Sequence, residues 1–204
     1  MTLPHESFLQ YMGAQLKPNI YIELGVDEGK TFQMIAPFVY RAIAVDLKIP
    51  ECLEDSETYE MSTDEFFSDG WFIDKADLIF IDADHSYNGA KKDLKNALEI
   101  LSDDGVIIMH DTDPVSNYMA DNPELCGDVY RIVDDIEDGL IEHINIVTVP
   151  IGDPGLSMIT KKKTTRTHQR AVAPEDHIDV TGKLKPKFYV PPAYGFNESP
   201  YKQY

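Results

Sequence analysis

Apolar runs of strand length recur along the first 160 residues of the chain. They cover residues 20–24, 42–47, 78–81, 106–109, 144–149 and 156–160. The first four runs are continuous rather than alternating, which is typical of strands that are buried on both faces of a parallel sheet. We therefore predict a sheet that lies at the centre of the fold and is covered on both sides.

Amphipathic segments of helical length lie before and between these runs. Phe8, Leu9, Met12 and Leu16 follow helical spacing, and helices are also predicted over residues 31–36, 89–101 and 129–140. The alternation of strands and helices predicts an α/β, doubly wound and mostly parallel sheet. Residues 152–155 are too few for a crossover helix, so the last strand is expected to run antiparallel.

Composition supports one domain followed by a tail. The chain has 204 residues, of which 43% are hydrophobic, enough for one sizeable core. After residue 163 the periodicity ends, and prolines and aromatic residues cluster without a pattern. We predict a folded domain over residues 1–163 and a Pro- and aromatic-rich C-terminal tail over residues 164–204.

Charge and hydropathy exclude several classes of partner. Lys and Arg number 18 against 36 Asp and Glu, so the chain would repel a phosphate backbone and nucleic acid is not an expected partner. No apolar stretch is long enough to span a bilayer, and the first residues do not have the pattern of a secretory signal. We expect a cytoplasmic protein without a membrane partner. The two cysteines lack the spacing of a zinc site.

A glycine pair follows the first predicted strand. Gly25 and Gly29 stand where a strand would turn into a helix, and Asp46 ends the second strand 21 residues after Gly25. In doubly wound sheets such a turn admits a ligand, and an acidic residue at that distance binds the two hydroxyls of a ribose. The pattern indicates a cofactor that contains a nucleoside. The alternative is a structural turn with an unrelated aspartate.

Asp27, which lies between the two glycines, argues against a dinucleotide cofactor. The dinucleotide fingerprint has a glycine where this chain has Asp27, whose carboxylate would repel a pyrophosphate. The segment from Glu23 to Gly29 instead resembles the first motif of class I S-adenosylmethionine-dependent methyltransferases, which have a Rossmann-like, seven-stranded sheet. This resemblance implies a set of cofactor-binding residues: Glu23, Gly25, Val26, Gly29, Thr31, Asp46, Leu47, Ser62, Thr63, Asp82 and Ala83.

A second group of polar residues ends two later strands. Asp82, Asp84 and His85 follow one strand, and His110 and Asp111 end the next. Neighbouring parallel strands would bring these side chains together, and clustered carboxylates are commonly neutralised by Mg²⁺ or Mn²⁺. The alternative is that they cap helices or lie in solvated loops.

Both segments together resemble the small-molecule and sugar O-methyltransferases of that superfamily. The resemblance implies that Asp82 and Asp111 bind a divalent metal, with His110 as a further ligand, and that His85 is the general base. A small-molecule or glycan acceptor with vicinal hydroxyls is expected, and a catechol-like phenol is the closest alternative. Whether the chain forms a homo-oligomer is left open.

Two other functional classes compete with this interpretation. A nicotinamide-dependent oxidoreductase is compatible with Asp46 but is opposed by Asp27. A non-catalytic interaction protein would use the fold as a scaffold and the aromatic tail as its contact surface.

Overall fold

The computed structural model describes residues 4–68, 74–120, 122–151 and 154–162. The predicted C-terminal tail, residues 164–204, lies outside the described residues. None of the helices in the described ranges combines the length and the hydropathy that crossing a bilayer requires.

Seven strands form one mixed sheet in the order β3-β2-β1-β4-β5-β7-β6. Strands β1 to β5 pair in parallel, and β7 runs antiparallel to both of its neighbours. The predicted fold class, including the antiparallel last strand, is therefore confirmed. The strands are β1 (Ile20–Leu24), β2 (Arg41–Asp46), β3 (Glu57–Glu60), β4 (Ala76–Ile81), β5 (Leu101–His110), β6 (Ile144–Val149) and β7 (Leu156–Lys161).

Helices cover the two faces of the sheet. They are α1 (His5–Leu16), α2 (Lys30–Ile35), α3 (Thr63–Ser68), α4 (Tyr87–Ile100), α5 (Asn117–Ala120) and α6 (Arg131–Glu137), with short 3₁₀ helices at Ala36–Phe38 and Glu51–Leu53. The predicted helices are found with ends shifted by one to three residues. At the start of α4, Ser86 accepts a hydrogen bond from the backbone N–H of Gly89, a typical N-cap.

The core consists of two apolar layers separated by the sheet. Ile22 and Ile79 lie in the layer beneath α3, α4 and α6, while Tyr21 and Leu78 lie in the layer beneath α1 and α2. Successive side chains of a strand point to opposite faces, so β1 and β4 must be apolar at nearly every position. Burying each large aliphatic side chain contributes roughly 1.5–3 kcal/mol, which makes these central strands the most firmly held part of the fold.

Two features of the sheet differ from the predicted strands. β3 has the sequence Glu-Thr-Tyr-Glu and was not among the apolar runs because it is an edge strand with half-exposed side chains. Arg41 of β2 fixes it through two hydrogen bonds to Glu57, of 2.8 and 2.6 Å. β5 begins at Leu101 rather than Val106, since Leu101 already pairs with Ala76 before an irregularity in the ladder.

Gly25 allows the ends of β1 and β4 to meet. Its φ of +83° lies in the left-handed region, and a Cβ atom there would be 2.2 Å from the backbone oxygen of Asp82. The backbone N–H of Asp82 also donates a 2.8 Å hydrogen bond to the Leu24 carbonyl. The glycine that the sequence marks as a cofactor turn is therefore required by the packing of the sheet itself.

We expect Gly25→Ala to destabilise the fold by roughly 3–5 kcal/mol, because a backbone clash adds to the cost of a left-handed alanine. Gly139→Ala is the matched control: its φ is +76°, but no atom lies within 4 Å of the added Cβ. That variant should lose only about 1–2 kcal/mol. Urea denaturation of both variants tests this, and equal losses would show that the close approach at Gly25 does not matter.

Candidate active site

A cavity of about 470 Å³ opens at the carboxyl ends of β1, β2 and β4. Ligands of doubly wound sheets bind at this edge. The cavity is lined by Gly25, Asp27, Val45, Asp46, Leu47, Met61, Ser62, Thr63, Asp64, Asp82, Ala83, Asp84, His85, Gly89, Lys92 and Asp93. Seven of the residues predicted to bind the cofactor are therefore brought together in its wall: Gly25, Asp46, Leu47, Ser62, Thr63, Asp82 and Ala83.

Asp46 organises the turn at the mouth of this cavity. Its Oδ2 accepts hydrogen bonds from the backbone N–H groups of Val26 (2.7 Å) and Asp27 (3.1 Å), and its Oδ1 accepts one from the backbone N–H of Lys48 (3.1 Å). A carboxylate has about four lone-pair sites, so one further hydrogen bond can be accepted at this position. Asp46 is thus held rigidly by the glycine turn while it still faces the cavity.

The other predicted cofactor residues lie beneath the cavity surface. Val26, Gly29 and Thr31 are buried. Glu23 is 1% exposed, accepts a hydrogen bond from the Tyr21 hydroxyl at 2.5 Å, and is bonded to the backbone of Phe32 near the start of α2. Burial raises the pKa of Glu23 well above its usual value, and neighbouring carboxylates add to this effect. The contacts of Glu23 therefore link β1 to the start of α2, on either side of the glycine turn.

Asp82, His85 and Asp111 converge on one point. One candidate ligand atom from each residue lies within 4.8 Å of the others. His85 Nε2 is 3.2 Å from Asp111 Oδ2 and 3.9 Å from Asp82 Oδ1. The pairing of β4 with β5 places the two aspartates together at neighbouring strand ends, as the sequence predicted.

The contacts of His85 indicate which of its ring nitrogens carries a hydrogen. Its Nδ1 is 3.1 Å from the carbonyl oxygen of Pro123, which can only accept, so Nδ1 carries a hydrogen. Nε2 therefore faces the Asp111 carboxylate, and in a neutral ring two lone pairs would oppose each other. A proton or a cation between these atoms would relieve the repulsion.

His110 has a different environment from His85. Its Nδ1 lies 3.1 Å from Asp82 and 3.2 Å from Asp111, and its ring packs against His5 at a centroid distance of 4.5 Å. Burial lowers the pKa of His110, but the hydrogen bonds and charges of the two aspartates outweigh burial and raise it to about 10. Nε2 is buried and has no partner among the described residues. His110 thus contacts the carboxylates of both Asp82 and Asp111. It is not part of the cluster of Asp82, His85 and Asp111 described above.

The cavity is strongly acidic. Six aspartates line it, and Lys92 is its one Lys or Arg within the described part of the chain. The Lys92 ammonium is already paired with Asp64 at 2.5 Å. Such a cavity attracts cationic groups and repels phosphates.

Asp93 is a buried, titratable residue of this cavity that the sequence analysis did not predict. It lies on the buried side of α4 with Ala90, Leu94 and Ala97, and is 1% exposed. Burial raises the pKa of Asp93 to about 6, against the lowering effect of a hydrogen bond with Thr63. An aspartate at an apolar position of an amphipathic helix is the signal that could have revealed it.

Comparison with known proteins supports one of the predicted classes. Residues 22–112 match the family model described as a methyltransferase domain. This match covers somewhat less than half of the chain. It supports a methyltransferase, and hence an enzyme, over the non-catalytic interaction protein. No curated protein has a significant match to the chain.

Several solved methyltransferase structures share the fold of this chain. An S-adenosylhomocysteine-bound methyltransferase from Podospora anserina has 17% identity, a TM-score of 0.61 and 78% coverage of both chains. An O-methyltransferase from Bacillus cereus, in complex with S-adenosylhomocysteine, has 17% identity and a TM-score of 0.58, covering 78% of this chain and 80% of that one. The O-methyltransferase TomG from Streptomyces achromogenes, in complex with S-adenosylmethionine, has 12% identity, a TM-score of 0.59 and the same coverage. At these identities the likeness shows the fold.

The buried carboxyl of Asp93 gives a pH-dependent prediction. Its folded pKa is raised to about 6 from 3.8, so its contribution to stability is full below the unfolded pKa and is lost as pH rises through about 6. Asp93→Asn replaces the carboxyl with an amide that does not ionise, so the variant does not lose stability as pH rises through this range. Relative to the wild type, the variant should therefore gain up to about 3 kcal/mol of unfolding free energy between roughly pH 4 and pH 8. Urea denaturation across this range measures the difference, and a pH-independent difference would contradict the assignment.

Proposed function

We propose that the chain is an S-adenosylmethionine-dependent O-methyltransferase that methylates a hydroxyl of a sugar or glycan with vicinal hydroxyls. The acidic cavity beside Asp82, His85 and Asp111 is the observation that carries this proposal. S-adenosylmethionine has a sulfonium and an ammonium group and no phosphate, so it complements the charge of this cavity. The three solved relatives with S-adenosylhomocysteine or S-adenosylmethionine support the same cofactor.

The position of Asp46 supports a nucleoside in this cavity. It lies at the end of β2, next to the turn at Gly25, with acceptor capacity left for one hydroxyl of a ribose. The competing nicotinamide cofactor requires a pyrophosphate at this turn. Asp27 and five further aspartates in the cavity wall oppose that charge, so we do not favour an oxidoreductase.

The donor set at the strand ends fits a divalent cation. Asp82 and Asp111 would hold it through carboxylate oxygens, which suit Mg²⁺ or Mn²⁺, and a nitrogen would come from His85, or from His110 once the incoming cation has displaced its proton. When bound, such a cation would lower the pKa of an acceptor hydroxyl. It would also balance the two carboxylates beside His85.

His85 is the proposed general base. With a hydrogen fixed on Nδ1 by Pro123, the neutral ring presents a lone pair on Nε2, the atom that must take the proton of the acceptor. The nearby carboxylates would stabilise the imidazolium that forms. One nitrogen cannot bind a metal and accept this proton at the same time, so base and metal ligand are alternative roles for His85.

A second cavity supports a hydroxyl-rich acceptor. Its volume is about 590 Å³, and it begins at Thr112, next to Asp111. Most of its lining is polar: Thr112, Asp113, Ser116, Asn117, Tyr130, Asp134, Glu137 and Thr148. Many donors and acceptors suit a polyol better than the flat apolar ring of a catechol, which remains the second candidate.

The proposal is tested by methyl transfer from radiolabelled S-adenosylmethionine to a panel of free sugars and glycans, with catechol as the comparison acceptor. We expect labelled sugar, with turnover that EDTA suppresses and Mg²⁺ restores. Transfer only to catechol would contradict the acceptor class. Equal rates with and without EDTA would remove the metal from the account.

His85→Gln separates the two roles of this residue. As a base, its loss should lower turnover by about 10²–10⁴-fold while Mn²⁺ affinity, followed by electron paramagnetic resonance, changes little. His143→Gln is the matched control, because the His143 side chain is 82% exposed. A large loss of Mn²⁺ affinity in His85→Gln would identify His85 as a ligand instead, and full turnover would exclude both roles.

A further inference from the structure

The segment of residues 122–128 contacts His85 at two places, although the sequence analysis assigned it no role. The carbonyl oxygen of Pro123 lies 3.1 Å from His85 Nδ1. Gly127 lies against the main chain of His85, because a Cβ atom on Gly127 would be 1.8 Å from the His85 carbonyl oxygen. Both the ring and the backbone of His85 are therefore contacted by this one segment.

Segment 122–128 is folded on itself, so its two contacts are linked. The backbone N–H groups of Leu125 and Gly127 both donate 3.0 Å hydrogen bonds to the carbonyl oxygen of Asn122. Gly127 is buried, and its φ of +55° lies in the left-handed region. A displacement at residue 128 would therefore also move Pro123 away from the His85 ring.

Asp128 ties this segment to the start of α4. Its Oδ1 accepts a 2.6 Å hydrogen bond from the backbone N–H of Tyr87, and its Oδ2 accepts one of 2.9 Å from the Arg131 guanidinium. Tyr87 is the first residue of α4, where backbone N–H groups lack intrahelical acceptors and a negative charge is favourable. The hydrogen bond from Tyr87 lowers the pKa of Asp128, and Arg131 adds to this effect. Asp128 thus fixes the segment to a residue that follows His85 by two positions.

The side chain of Tyr87 belongs to a separate set of contacts between α4 and α6. Its hydroxyl donates a 2.5 Å hydrogen bond to Asp135, which also pairs with Lys91 at 2.6 Å. The Arg131 guanidinium lies 4.5 Å from the centre of the Tyr87 ring. These contacts stabilise the packing of the two helices and do not include His85. They offer a control in which helix packing is weakened while the Tyr87 N–H stays in place.

We propose that Asp128 is a positioning residue for His85. By holding segment 122–128 at the start of α4, it keeps the Pro123 carbonyl on Nδ1 of the His85 ring, so that Nε2 is left to accept a proton. None of the described residues that line the cofactor cavity belongs to this segment. The inference rests on the proposed function, because it concerns the base of that reaction.

Loss of this anchor should lower turnover without weakening cofactor binding. In Asp128→Ala, kcat should fall by about 10- to 100-fold because the base is misplaced, while KM for S-adenosylmethionine changes by less than about twofold. Asp128→Asn keeps an oxygen that can accept the Tyr87 N–H, so it should restore kcat to within about threefold of the wild type. Tyr87→Phe, the matched control, loses the hydroxyl contacts but keeps this N–H, and its kcat should stay close to that of the wild type.

Nitrogen NMR of protein labelled at histidine tests the positioning directly. In metal-free protein at alkaline pH, the ring shifts distinguish the two neutral tautomers, and His85 of the wild type should carry its hydrogen on Nδ1. Asp128→Ala should give a mixture of tautomers, whereas Tyr87→Phe should match the wild type. Asp128→Ser, whose hydroxyl is too short to reach the Tyr87 N–H, replaces Asp128→Ala if that variant does not fold.

A single His85 tautomer or full turnover in the variant that lacks the Asp128 carboxylate would overturn the inference. Equal losses of kcat in this variant and in Tyr87→Phe would also overturn it, because the effect would then come from helix packing. A wild type with a single His85 tautomer but no methyl transfer would refute the proposed function and leave the positioning of His85 intact.

Discussion

The parallel pairing of β4 with β5 is the interaction on which the candidate site depends. Ile81 is paired with Met109, so the residues that follow each strand leave the sheet side by side. Asp82 and Asp111 are thereby brought to one edge, although 28 residues lie between them in the sequence. The pairing is stabilised by apolar side chains on both faces of the sheet. The buried residues of the two strands stabilise the fold, while the candidate site is formed by the residues that directly follow them.

Charge is the second constraint, and it explains much of the chemistry. The cavity concentrates aspartates without a free ammonium group in its described wall, and such an arrangement is costly in the absence of cations. A sulfonium cofactor and a divalent metal would each bring positive charge to it. The same repulsion would weaken binding of a dinucleotide. The charge of the cavity therefore favours a sulfonium cofactor over a dinucleotide.

Much of the fold could be predicted from the sequence, because the central strands are buried on both faces and read as uninterrupted apolar runs. β3 could not, since an edge strand held by the ion pair of Arg41 and Glu57 has no apolar signature. The strand-end aspartates and His85 were visible as a pattern. The orientation of His85 was not, because it depends on Pro123, which is 38 residues away. Asp93 was missed for a related reason, since its environment exists only after α4 packs against the sheet.

The central claim is that the cavity binds an adenosyl cofactor through Asp46. The most direct measurement is a calorimetric titration of the protein with S-adenosylhomocysteine, repeated on Asp46→Ala and with reduced nicotinamide adenine dinucleotide as the competing ligand. The account predicts micromolar binding of S-adenosylhomocysteine, strongly weakened in the variant, and no binding of the dinucleotide. Binding of the dinucleotide without binding of S-adenosylhomocysteine would contradict the account.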